Sequence, residues 1–364
     1  MHCRLVVPEL LVPELLATGG PGNPPIELPA LQSLLARGRR DAREGAVREH
    51  WWLDVFGVER QHDLPAAPYR LLGDGGQPGD ATWLCADPVH MRADRDSVAL
   101  ADADGLGLTA DEAGAIAASI NAHFEGRLAV TAPTPSRWYA RSPEPSRIRT
   151  VPTSAARARS MGAHLPRGED AMAWHALMNE AQMLLHGHPV NQAREARGLL
   201  PVNGLWAWGA GRLASLAPRP AQGVFSSDPL VLGLARESGM SANPLPARAA
   251  DWLRGAPENG VVWFVLDTLA TPADYADTAR WQDMLRAMEA DWFAPMLAAL
   301  RSGRLGMLTL DALSLRGCLR VEAVRGDLRR FWRRAKPITT WAPDPDAPSA
   351  LEGEAYADDP HEAP

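Results

Sequence analysis

The sequence predicts an α/β protein whose last third carries a parallel sheet. Three observations carry this. Val261-Val-Trp-Phe-Val-Leu266 and Gly306-Met-Leu-Thr-Leu310 are continuous apolar runs, as expected of strands buried on both faces. Between them, residues 278–301 place Trp281, Leu285, Met288 and Trp292 at helical spacing. Strand, helix and strand joined by such connections make a βαβ unit. The run Cys3-Arg-Leu-Val-Val7 adds a short buried strand at the start.

The other elements follow in chain order. Residues 15–30 are rich in Gly and Pro and read as a loop, followed by one helix over 28–48 with Leu31, Leu34, Leu35 and Ala42 on a single face. Ala81–Ala86 reads as a strand ended by Asp87-Pro88, and Ser97–Ala101 as its neighbour. Thr109-x-x-Glu112 is a capping box that opens a helix bearing Ala113, Ile116, Ala117, Ile120 and Phe124. Arg127–Thr131 reads as a strand, and 141–165, with Pro143, Pro145 and Pro152, as a mobile connection. Gly168-Glu-Asp opens a helix with a stripe of Trp174, Leu177, Met178, Ala181, Leu184 and Leu185, ended by Pro189. Ser227-Asp-Pro opens another, stopped at Gly239. From Trp341 the chain is Pro-, Asp- and Glu-rich without periodicity and reads as a disordered acidic tail over 341–364.

Composition narrows the function classes. The chain has 364 residues, a net charge of −7 and 46% hydrophobic residues, which is ordinary globular usage. Three isolated cysteines offer no disulfide framework or CxxC pair, so a reducing cytoplasm is expected. Pro8, Glu9, Pro13 and Glu14 break the first apolar stretch, which makes it a poor signal peptide. No run approaches the roughly 20 apolar residues of a membrane span. The mild acidity makes nucleic acid an unlikely partner. Trp is over-used, 13 against 6 Phe, and Lys336 is the single lysine among 37 basic residues.

Several constellations are candidates for chemistry. Glu9, Asp267 and Asp311 each end or follow a predicted buried strand, where open α/β sheets hold their ligands. Around one divalent ion, Mn or Zn, they would make a rebuilt site; as turn or cap residues they would make none. His186-x-His188 offers either zinc ligation or a helix cap. His188, Asn191, Arg194, Asn203, Trp206 and Trp208 are good anion binders by type, and equally good members of a buried hydrogen-bond network. Asp87, His90 and Arg92 form a polar burst after a strand. The basic run from Arg325 to Lys336 reads as a solvated helix face, with contact to nucleic acid or an acidic partner as the alternative. No Walker A, GxGxxG or GxSxG pattern is present.

One ordered string of motifs resembles a known family. It runs Ala86-Asp-Pro-Val-His-Met-Arg92, Gly107-Leu-Thr-Ala-Asp-Glu112, Arg137-Trp-Tyr139, Leu184-Leu-His-Gly-His-Pro-Val-Asn191-x-x-Arg194, Pro201-Val-Asn203-x-x-Trp206-x-Trp208-Gly-x-Gly211 and Gly233-Leu-Ala-Arg-Glu-Ser-Gly239-Met. Over roughly 80–320 it resembles the archaeal-type, cofactor-independent phosphoglycerate mutases, and more closely their proteobacterial relatives, the RpfE-type regulatory proteins. The resemblance implies an alkaline-phosphatase-like core interrupted by a smaller α+β domain. The expected division is 1–80 and 166–340 for the core and 81–165 for the insertion.

The family's catalytic parts do not carry over. It uses two divalent metals and a Ser or Thr that is transiently phosphorylated. Where the family has an Asp-Gly pair after the first strand, this chain has Val7-Pro8-Glu9, and Trp51-Trp52 lie near the place of the nucleophile. Asp267 is followed by Thr-Leu-Ala, and Asp311 by Ala312, where the family supplies His. The resemblance therefore implies a degenerate mutase with a regulatory role and no expected cofactor. The alternative is a metal-dependent mutase or phosphohydrolase using Asp267 and Asp311. Arg92 and Arg137 match arginines of the family's substrate-closing domain, and imply a small phosphorylated or carboxylated ligand.

Overall fold

A computed structural model describes residues 1–16, 26–93, 98–101, 103–156, 165–218 and 221–350. The chain divides into two units. One comprises Met1–Trp51, Pro218–Asp228 and Gly239–Pro364; the other comprises Trp52–Ala217 and Pro229–Ser238.

The first unit opens with β1 (His2–Pro8) and β2 (Arg39–Arg43). The second contributes β3 (Thr82–Ala93), β4 (Val98–Ala101), β5 (Ala129–Thr134), β6 (Arg137–Ser142) and β7 (Gly204–Gly211). The chain then returns to the first unit with β8 (Gly223–Ser226), β9 (Ser241–Pro244), β10 (Val261–Val265), β11 (Met307–Leu313) and β12 (Cys318–Val324).

The first unit's sheet has the order β2-β12-β11-β1-β10-β8-β9. Five of its strands, β11, β1, β10, β8 and β9, run parallel. β12 lies antiparallel to both β11 and β2. β10 and β11 flank β1, so the βαβ unit read from the sequence steps over the first strand. Leu5, Phe264, Leu308 and Leu310 pack with Trp281, Leu285, Trp292 and Phe293 in one core.

The helix expected over 278–301 is there, with a π turn, Glu289–Phe293, between Thr278–Met288 and Ala294–Ser302. Glu289 accepts hydrogen bonds from the Ala30 and Leu31 backbone N–H groups, at 2.6 and 3.1 Å. Those donors open the helix Pro29–Arg37, and a helix N-terminus leaves such groups without intrahelical partners.

Three expectations change. The single helix over 28–48 is a helix over Pro29–Arg37, the edge strand β2, and a new helix from Arg48 to Phe56. Gly38 ends the first helix, and an added Cβ there would meet the Val321 side chain at 2.5 Å. β2 forms because β12 offers it a ladder. The strand ended at Asp87-Pro88 instead runs to Ala93. Pro88 is tolerated because β7 alone flanks β3 there: β6 pairs only as far as Cys85, and β4 begins at His90. Residues 341–350 of the expected tail are placed in the structure. Trp341 closes a 3-10 turn, and Ala350 N–H donates to Leu315 O at 2.8 Å. The remainder of the expected tail, 351–364, lies outside the described residues, as do 157–164 of the expected mobile connection.

In the second unit β4, β3, β6 and β5 form one sheet, with β7 also paired to β3. The capping box forms as read: Glu112 N–H donates to Thr109 Oγ1, and Thr109 N–H to the Glu112 carboxylate. The unit takes in 52–80 and 166–217, which the sequence assigned to the core. The reason is a shared hydrophobic cluster that joins Ile116, Ile120 and Phe124 to Trp174, Leu185, Val202 and Leu205. Residues 229–238 join the same unit by close helix packing. A Cβ on Gly233 would lie 1.7 Å from Tyr69 O, and one on Gly73 would lie 1.7 Å from Pro229 O, so the two helices meet backbone to backbone. Among the described residues no helix is long and apolar enough to cross a membrane.

Candidate functional site

Parallel strands bring the residues that follow them to one edge. Here these are Glu9 after β1, Ser227 and Asp228 after β8, and Asp267 after β10. Glu9 turns with φ +57°. Its N–H donates to Leu313 O at 2.7 Å, and its carbonyl accepts from Trp281 Nε1 at 2.9 Å. Ser227 Oγ donates to both Asp267 carboxylate oxygens at 2.9 Å.

A guanidinium stands among these carboxylates. Arg48 Nη2 lies 3.6 Å from Glu49 Oε1 and 3.9 Å from Asp274 Oδ2. Burial alone would weaken its hold on the proton, but Glu49, Asp274, Glu9 and Asp228 outweigh that and keep it charged. Burial pushes the Asp267 carboxyl upward, opposed by the Ser227 hydroxyl and by Arg48.

Glu9 is pushed up to about 8, first by burial and then by Asp274, against the pull of Arg48. The folded chain therefore holds this proton while the unfolded carboxyl, with its ordinary value of 4.5, releases it. Between those two values the folded state binds more protons, so stability falls as pH rises. Glu9→Gln is expected to flatten that fall in urea midpoints measured from pH 5 to 8. Parallel profiles for the variant and the parent would contradict it.

Asp311 is placed differently. It lies within β11, opposite Val6 of β1 and Arg320 of β12, and its side chain is fully buried. Arg4 Nε donates to Oδ2 and Arg320 Nε to Oδ1, both at 2.6 Å. The Arg4 guanidinium also lies over the rings of Trp263 and Trp51, 4.7 and 5.5 Å from their centroids. Glu9 and Asp267 thus follow their strands, while Asp311 is held within its own. Among the described residues no three His, Cys, Asp or Glu side chains are grouped so as to hold a metal ion.

The sequence-predicted ligand-binding residues of the second unit are mostly tied to protein groups. Asp87 is buried and accepts from Arg70 Nη1 at 2.8 and 3.0 Å and from Trp208 Nε1 at 2.9 Å. Arg70 lies over the rings of Trp208 and Tyr139. Burial works against the Arg70 charge, and Asp87 outweighs it. Arg137 grips Asp74 through Nε and Nη2, and Tyr139 Oη donates to the same carboxylate at 2.6 Å.

Asn191 donates to Leu185 O and Val202 O and accepts from Val202 N–H. Arg194, fully buried, donates to Leu200 O, Leu106 O and Glu112. Asn203 exchanges two hydrogen bonds with the Met91 backbone, and Trp206 Nε1 donates to Val151 O. His188 caps the helix Pro189–Ala196 by accepting from Val190 N–H, and its other ring nitrogen meets Ser119 Oγ at 2.9 Å. Burial lowers its pKa. His186 is exposed, and His90 Nδ1 meets Pro201 O at 2.9 Å. Arg92 lies on β3 and is exposed to solvent.

Sequence reasoning missed Arg48, Arg70, Asp74, Asp228 and Asp274. Arg70 did carry a signal, being a lone charge inside the apolar run Ala66-Ala-Pro-Tyr-Arg-Leu-Leu72. Arg48 and Glu49 stand just before the Trp pair, which marked the right region for another reason.

Comparison with known proteins gives partial sequence matches and a likeness of fold. The chain is 33% identical over 140 residues to the 2,3-bisphosphoglycerate-independent phosphoglycerate mutase of Methanothrix thermoacetophila, a match covering 35% of this chain and 36% of that protein. It is 39% identical over 71 residues to a probable enzyme of the same name from Geobacter sulfurreducens, covering 20% of this chain and 17% of that one. The chain thus matches about a third or less of the length of these curated relatives. Among solved structures, the PH0037 protein from Pyrococcus horikoshii superposes with a TM-score of 0.54 at 15% identity, over 89% of this chain and 87% of its own. The cofactor-independent phosphoglycerate mutase from Thermoplasma acidophilum gives 0.49 at 16% identity, over 94% and 95%. At 15% identity the likeness to the Pyrococcus horikoshii protein is one of fold. No family model matches the chain.

Proposed function

We propose that this chain is a catalytically degenerate protein on a phosphoglycerate-mutase-like scaffold, in the regulatory manner of the RpfE-type branch. It acts in the cytoplasm by binding a small phosphorylated or carboxylated ligand, or a protein partner, rather than by phosphoryl transfer. The observation that carries this reading is Asp311, enclosed by Arg4 and Arg320 inside the sheet. A carboxylate with both oxygens taken by guanidinium groups is a poor metal ligand, since the cation would have to displace two charge-assisted hydrogen bonds.

The remaining donors do not suit a pair of divalent ions. Glu9 holds its proton near neutral pH, Asp267 takes the Ser227 hydroxyl, and Glu49 and Asp274 neighbour Arg48. Divalent ions at such an edge are anchored by ionised carboxylates, with carbonyls and waters completing the shell. Without such ions, the phosphoryl charge has no electrostatic clamp at this edge. On the binding side, the exposed Arg92 offers a forked donor set to phosphate or carboxylate.

The test is turnover. The full chain, incubated with 3-phosphoglycerate and added manganese and followed by phosphorus NMR, is expected to form no 2-phosphoglycerate above the protein-free control. Steady conversion proportional to the amount of chain would overturn the reading.

A further inference from the structure

The first unit also carries a basic, aromatic face. Residues 325–336 contain Arg325, Arg329, Arg330, Arg333, Arg334 and Lys336 against one acidic residue, Asp327, in a chain whose net charge is −7. They do not form the solvated helix read from the sequence. Within 325–336 the regular structure is one 3-10 turn, Asp327–Arg329. Phe331 and Trp332 stand out from it, 77% and 66% exposed, ring against ring at 5.3 Å. Two adjacent aromatic side chains left in water cost apolar contact that an internal position would recover.

Beside them opens a cavity of about 590 Å³, lined by Arg39, Arg40, Arg330 and Arg333 together with Glu322 and Asp327. Some of this charge is already paired: Arg39 with Glu322 and Arg330 with Asp327. The arginines still outnumber the acids along the wall. β2, which carries Arg39, Arg40 and Arg43, is the sheet's edge strand, with all five residues exposed. A second copy of the same face is disfavoured by like charge. The surface suits an acidic segment.

The chain supplies one. Segment 351–364 holds Glu352, Glu354, Asp358, Asp359 and Glu362, with no Lys or Arg, and also Leu351 and Tyr356. The described chain ends at Ala350, bonded to Leu315 O beside the β11–β12 turn. The cavity lies toward the other end of these strands, where Met307 pairs with Val324. β12 spans about 23 Å, and the acidic segment reaches about 46 Å when extended, so the distance is within range.

We propose that residues 351–364 dock in cis on the basic–aromatic face formed by Arg39, Arg40, Arg330, Arg333, Phe331 and Trp332. The carboxylates meet the arginines, and Tyr356 or Leu351 covers the two rings. The segment is thereby an internal competitor for any acidic partner of this face.

Lys336 makes the test sharp. It is the only lysine, so the chain's sole other primary amine is the N-terminus. Zero-length carbodiimide coupling of the full chain, read by mass spectrometry, is expected to join Lys336 to carboxylates of 352–362 within one molecule. Arg330→Glu with Arg333→Glu is expected to lower the yield at least about five-fold, because the linkage depends on charge; 0.5 M salt should do the same to the parent chain. Equal yields in the parent at low and high salt would reveal mere proximity along the chain and overturn the proposal, whatever the fold of the variant. So would links to the folded body alone, or mixed-mass links from an equal mixture of ¹⁵N-labelled and unlabelled chains, which would identify the tail of a second copy.

Discussion

Asp311→Asn is expected to destabilise the first unit by about 3–5 kcal/mol, the usual cost of removing one partner from a buried ion pair. Asp311 is fully buried, and Arg4 and Arg320 are largely so. The substitution leaves two guanidinium groups facing a neutral amide that can accept only one of their hydrogen bonds at full strength. Urea unfolding followed by tryptophan fluorescence reads the change as a lower midpoint with little change in slope. A residue kept mainly to ligate metal behaves otherwise: its loss abolishes metal binding and leaves apo stability little changed. A shift below about 1 kcal/mol would therefore count against Asp311 as a structural anion.

Arg70→Met is expected to cost a similar amount, about 3–5 kcal/mol, in the second unit. It strips Asp87 of a guanidinium held at 2.8 Å while leaving the carboxylate buried among Trp138, Trp208 and Thr153. It also removes a cation stacked on Trp208 and Tyr139. The double variant Arg70→Met/Asp87→Leu is expected to recover much of the loss, since no charge is then stranded, and a double-mutant cycle measures the coupling. Strictly additive effects would contradict the pairing. The matter bears on function: an Asp87 so committed positions the β3–β7 pair and is not available to a ligand.

What could be read from the sequence was what local pattern controls. The runs Val261–Leu266 and Gly306–Leu310 became parallel strands on either side of Cys3–Val7, because only a strand shielded on both faces tolerates so continuous an apolar stretch. The Thr109–Glu112 box formed because both halves of it lie within four residues. What escaped depended on partners far along the chain. Arg39–Arg43 carries no strand pattern of its own and is a strand because β12, nearly 280 residues on, pairs with it. Asp311 looked like a strand-end ligand because its neighbours in sequence are apolar, but its role is set by Arg4, 307 residues away, and by Arg320 across a hairpin. The motif string from His188 to Trp208 was visible, and its residue types fitted an anion site and a buried network equally. Arg194 and Asn191 supply the hydrogen bonds of a network. The tryptophan excess is largely packing, with Trp281 and Trp292 in the core, while Trp51 serves as a face for Arg4.

The carboxylates of the first unit's sheet are occupied by the protein's own groups: Asp311 within β11 by Arg4 and Arg320, Glu49 and Asp274 by Arg48, and Asp267 by the Ser227 hydroxyl. Manganese titration of the metal-stripped full chain, followed by electron paramagnetic resonance, tests this without reference to turnover. The free-ion signal is expected to rise in proportion to added manganese, with no saturable loss. Loss of signal saturating at one or two equivalents, with the spin-coupled spectrum of paired ions in the latter case, would contradict it.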